Sequence, residues 1–223
     1  MQAMSVLGKD LLTDASLVRI EQLKDQLEIA MRTKRTSFAY SIEESFPIET
    51  IESEGAFAGM GTHRFVASIS WIWEVGLDVS GKCRINGNAS TMVWLLDLAQ
   101  ADLPEIARWR VDVGDSDGPG CCVHLQMGHV DGDIGFPSSL PVPRFHALTP
   151  TPMMAIELVL SEFFHDTWEQ RIAGSTPECN MWRGVQKRRL KSFLEWQIRT
   201  ASEAGDSPLV SLKRFPPSDI FVG

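Results

Sequence analysis

The spacing of apolar residues changes period twice along the chain, and each change marks a change of element. Over 14–32 (DASLVRIEQLKDQLEIAMR), Ile20, Leu23, Leu27, Ala30 and Met31 recur at three- and four-residue steps. That spacing predicts an amphipathic helix, with Asp14 suited to its positive end and Arg32 to its negative end. Phe38, Tyr40 and Ile42 then alternate with polar residues, the two-residue period of a half-buried strand. The most regular alternation lies in 63–75, where Phe65, Ala67, Ile69, Trp71, Trp73 and Val75 take every second position and share one sheet face. Further strands are expected at 91–98, 109–113 and 123–127. The CRI segment at 83–85 reads as an edge strand or loop, and Asn86-Gly87 as a turn. Residues 41–60 hold five Glu and no Lys or Arg, and read as a strand end plus a connection.

The helical period then returns. Residues 137–152 carry five prolines in sixteen positions, which removes amide donors and makes a stiff extended connection. Thr151 and Pro152 suit the cap and first turn of a helix over 153–172 that is apolar almost all round. Ser175 and Glu178 have capping-box spacing and open a second long helix running to about Ala204. Its less polar side carries Trp182, Val185, Phe193, Leu194, Trp196 and Ile198. Residues 205–223 form an apolar tail that includes Phe215 and Phe221. The whole chain, 1–223, reads as one α+β domain. It has an N-terminal helix, an antiparallel meander of four to five strands, the Pro-rich connection and two long C-terminal helices packed on the sheet. Over 14–204 this element order resembles the ubiquitin-conjugating-enzyme and RWD-like folds. No cysteine lies between Val123 and Glu178 to serve as a thioester nucleophile, so the resemblance implies a non-catalytic variant used for binding.

Composition narrows the function classes. The 223 residues carry 21 Lys and Arg against 29 Asp and Glu, a net charge of −8, which disfavours a general nucleic-acid-coating protein. No apolar run approaches the roughly 18 residues of a membrane span. Four cysteines, at 83, 121, 122 and 179, form no CxxC pair and make no disulfide framework. With no secretory pattern at the start, they imply free thiols in a reducing cytoplasm. The charge is unevenly spread: 183–199 holds six Lys or Arg and one Glu, whereas 97–133 holds two Arg and eight acids.

Two constellations bear on chemistry. The first gathers Asp112, Asp115, Asp117, His124, Gln126, His129, Asp131 and Asp133. His124 and Gln126 share a strand face. With the carboxylates of a neighbouring turn they could hold a divalent cation, the arrangement of a metal-dependent hydrolase or nuclease centred on Asp115, Asp117, His124 and Gln126. The same Asp-Gly clusters also suit ordinary hairpin turns. Beyond that cluster, His165 could face Glu157 or Ser161 along its helix. There is no GxSxG elbow, P-loop or GxGxxG, and no cofactor beyond that divalent cation is implied.

The second constellation is the basic helix, where Arg183, Lys187 and Lys191 form one stripe with Arg188 and Arg189 beside it and Trp182 and Trp196 nearby. A cationic stripe beside indoles can meet an acidic partner protein or stack on nucleic-acid bases. The leading expectation is a protein-interaction or complex-assembly module, by hetero- or self-association. Its binding residues would be Trp182, Arg183, Lys187, Arg188, Lys191, Trp196, Phe215 and Phe221.

Overall fold

In a computed structural model, the structure describes residues 1–54, 64–77, 83–114, 121–127, 145–146, 151–203 and 205–214. The chain begins with α1 (Gln2–Leu7) and α2 (Asp14–Arg32), followed by β1 (Phe38–Ile42), β2 (Ile48–Glu49), β3 (Ser53–Glu54) and the long β4 (Arg64–Leu77). Next come β5 (Cys83–Ile85), β6 (Ala89–Asp97), β7 (Glu105–Val113), β8 (Val123–Met127) and β9 (Phe145–His146). The C-terminal part holds α3 (Pro152–Phe163), α4 (His165–Ile172), α5 (Pro177–Ala201) and α6 (Pro208–Ser211). The class is α+β, with the C-terminal helices packed on an antiparallel sheet, as the residue pattern predicts.

The sheet runs β1-β4-β6-β7-β8-β9, every pairing antiparallel. It holds more strands than a four- to five-strand meander because short segments complete both edges of β4. β1, β2 and β3 pair in turn with Trp71–Val75, Ser68–Ile69 and Arg64–Phe65, so three pieces line one edge. β6 and then β5 line the other. The Glu-rich connection therefore contributes two strands, and CRI is a strand. Gly76 pairs in register with Arg84; a Cβ there would sit 2.1 Å from the Thr36 carbonyl oxygen. Its conservation of strand geometry depends on lacking a side chain, because backbone passes directly over it. Gly87 has φ +83°, as the expected Asn-Gly turn requires.

One face of β4 carries Phe65, Ala67, Ile69, Trp71, Trp73, Val75 and Leu77, all buried. The helices pack against this face and build one hydrophobic core with Val93, Val111 and Val123 of the neighbouring strands. The Trp73 indole N–H donates to Thr91 Oγ1 at 3.1 Å, which satisfies a polar group inside that core. Thr13 caps α2, accepting from the Ser16 N–H, and the Ser16 hydroxyl exchanges hydrogen bonds with the Glu49 backbone, tying α2 to β2.

Three helix boundaries depart from the expected ones. α1 buries Met4 and Leu7 but spans under two turns, too short to show a period. The expected 153–172 helix breaks at Phe164 into α3 and α4. The Ser53 hydroxyl donates to the Phe163 carbonyl at 3.1 Å, and the Phe163 ring meets Phe65 edge-on at 4.9 Å, so tertiary contacts pin the end of α3. α5 is capped by Thr176, accepting from the Cys179 N–H, rather than by Ser175, and stops at Ala201. Thr151 caps α3 as expected, at 3.2 Å from the Met154 nitrogen. After α6, the Leu212 carbonyl accepts from the Cys122 N–H at 3.0 Å, so the start of the tail docks on its own sheet. No helix among the described residues is long and apolar enough to cross a membrane.

Candidate functional site

Register brings part of the polar cluster together. Asp112 pairs with His124, and Arg110 with Gln126, across β7 and β8. The two-residue period places all four on the sheet face opposite Val111, Val113 and Val123. Arg110 Nε donates to Asp112 Oδ2 at 2.8 Å, and its terminal nitrogen donates to Gln126 Oε1 at 3.0 Å. His124 is buried, its Nδ1 lies 2.8 Å from the Cys121 carbonyl oxygen, and its Nε2 lies 3.5 Å from Asp112 Oδ2. A carbonyl only accepts, so Nδ1 carries the hydrogen and the ring's orientation is set.

This arrangement is a cross-strand network organised by a guanidinium. The Asp112 oxygen that a cation would use already receives a charge-assisted hydrogen bond from Arg110. Among the described residues, no three His, Cys, Asp or Glu converge as metal ligands. Asp115, Asp117, His129, Asp131 and Asp133 lie outside the described residues. His165 opens α4 and pairs with Glu169 at 3.6 Å, because the break at Phe164 takes it off the helix of Glu157 and Ser161. Glu157 sits on α3, where burial raises its pKa and the nearby Trp182 indole opposes that shift.

On α5, one helical turn per 3.6 residues sorts the basic residues into unlike environments. The inward positions are Cys179, Trp182, Gln186, Phe193, Trp196 and Thr200, all buried. Trp182 stacks edge-on against Trp168 at 6.3 Å, and Trp196 lies 5.6 Å from Phe193. Neither indole presents a face to a base, which corrects the expectation of indoles beside the cationic stripe. Arg183 donates to the Ile172 and Gly174 carbonyls, at 2.5 and 2.9 Å, and to Asn180 Oδ1 at 2.7 Å. It therefore caps the end of α4 rather than extending an outward stripe.

Lys187, Arg188 and Lys191 are exposed. Lys191 is 3.7 Å from Glu195. Leu194 and Ile198 are 37% and 68% exposed, so two members of the expected apolar side face outward beside these cations. Phe215 and Phe221 lie outside the described residues. Residue pattern alone missed Arg110 as the hub of the strand network. It also missed Gln186 and Arg189 as inward-facing polar groups, although both fall on the 179–182–186–189–193–196–200 spacing.

Comparison with family models, curated proteins and solved structures returned no match.

Proposed function

We propose that the chain is a protein-interaction module in which the outward face of α5 docks an acidic, partly apolar segment of a partner protein. The observation that carries this reading is the exposure of Ile198 and Leu194 beside Lys187, Arg188 and Lys191, on a helix whose other face is already used by the core. Apolar side chains grouped with cations on a rigid helix supply both desolvation and charge pairing to a complementary surface.

Charge favours this occupant over the others. With Arg199 and Glu195, the outward face is net +3, while the chain as a whole is −8. A local acidic segment meets the patch within a Debye length of about 8–10 Å, whereas an extended nucleic acid also meets the surrounding negative surface. Two copies joined through this face would bring like charges together.

A photo-crosslinking residue at position 198, with position 18 on α2 as an exposed control, tests the reading in cells that produce the chain. The expected outcome is a crosslink specific to 198, to an acidic segment of another protein, abolished by Lys187→Glu with Lys191→Glu. A crosslink to nucleic acid or to a second copy would contradict it, as would one that survives charge reversal or none above the control.

A further inference from the structure

A pocket of about 340 Å³ opens between α1, α2, β4, β5 and the start of α3 on one side and α5 on the other. Its apolar wall includes Leu27, Met31, Val75, Ile85, Met153 and Met181. Two groups from the inward side of α5 interrupt this wall. Gln186 is only 7% exposed, and among the described residues neither its amide nitrogen nor its amide oxygen has a hydrogen-bond partner. One turn further on, the buried Nε of Arg189 is also without a partner, and no hydrogen bond or ion pair within the described residues engages its guanidinium. Burial holds the Arg189 guanidinium below its usual range, an effect that nearby Tyr40 opposes and Arg188 reinforces. Tyr40 lines the same pocket, and among the described residues its hydroxyl bonds only the Met1 thioether at 3.6 Å, a weak acceptor.

We propose that this pocket binds a medium-chain monocarboxylate, with its carboxylate on Gln186 and Arg189 and its hydrocarbon chain along the apolar wall. The inference is independent of the outward face of α5. Buried polar groups in folded proteins are nearly always satisfied, so two unsatisfied neighbours in one cavity mark the place of a missing partner. Their chemistry selects it. An amide N–H, a guanidinium, a phenol and the Met1 amine, whose pKa burial and then Arg189 lower to about 6, supply donors and positive charge, so the complementary group is an anionic acceptor. A planar carboxylate matches the guanidinium fork. At the rim, Lys24 and Glu28 carry opposite charges, and Lys24 is already paired with Glu21. The volume lies at the lower end of the roughly 300–1,000 Å³ of small-molecule sites, which favours a medium chain over a long lipid.

The test titrates the intact chain with decanoate, decanol and decylamine, reading the fluorescence of Trp73 and Trp182, which line the pocket, together with the Tm. Saturable one-to-one binding of decanoate is expected, with decanol weaker by about tenfold or more and decylamine not bound. Gln186→Leu and Arg189→Met should each raise the Tm of the ligand-free protein while weakening decanoate by about tenfold or more. That paired response distinguishes a binding role from a structural one, which would lower the Tm. The proposal is overturned if decanoate does not saturate, if decylamine binds as well, or if both variants lose stability or keep full decanoate affinity.

Discussion

The two faces of α5 differ in how they treat the same kind of residue. Arg183, Arg188 and Arg189 lie within seven positions, yet one closes the end of α4, one stands in solvent and one turns inward near Gln186 with its Nε buried. Trp182 and Trp196 face inward, whereas Ile198 is left outside. Local charge density therefore says little about function until the 100° advance per residue has distributed it. The outward face keeps its cations hydrated and available. The inward face keeps polar groups that its surroundings leave unsatisfied.

Breaking each face separately should give effects of very different size. Phe193 is fully buried, and Phe193→Ala should cost about 3–5 kcal/mol in urea unfolding, while Ile198→Ala should stay within about 0.5 kcal/mol. Comparable losses at both positions would mean that the outward face is also packed. Next in size, Gln186→Leu should stabilise the ligand-free protein by about 1–3 kcal/mol, since it removes two buried unsatisfied atoms. Each kcal/mol corresponds to about 2–4 °C in Tm for a chain of this length.

Glu157 gives a smaller, pH-dependent contrast on the neighbouring helix. Burial raises its folded-state pKa above the unfolded value, so the folded chain takes up the proton first as pH falls. Its ionised form thus disfavours folding at neutral pH, and that penalty fades as pH drops through the folded pKa. Glu157→Gln should be more stable than the parent at pH 7, with the gap closing on acidification. A gap independent of pH would remove the burial explanation. The smallest effect belongs to Lys187→Glu with Lys191→Glu, where unfolding should change by no more than about 0.5 kcal/mol, so that any loss of a partner reports docking rather than folding.

Residue pattern shows most where neighbours in sequence decide the outcome. The period-two run from Phe65 to Val75 defines β4 because every second side chain enters one core, and Thr151-Pro152 announces α3 because capping is local. It shows least where distant contacts decide. Nothing between 160 and 168 breaks a helix by composition, yet α3 ends where the Ser53 hydroxyl, from another element, bonds the Phe163 carbonyl. β2 and β3 are two-residue strands that exist because β4 offers an edge. The strand network required knowing that Asp112 faces His124 and Arg110 faces Gln126 across two strands. On α5, the apolar residues Val185, Leu194 and Ile198 pull the apparent apolar side away from the true inward line, which carries Gln186 and Arg189. Only the cavity beside them gives those two residues a meaning.

The most direct test of α5 as a two-sided helix is an NMR titration with decanoate that follows the arginine Nε–H resonances. The Arg189 resonance should move saturably while those of Arg188 and Arg183 stay in place. An Arg189 resonance that does not move, or that moves together with that of Arg188, would contradict the assignment of separate roles to the two faces.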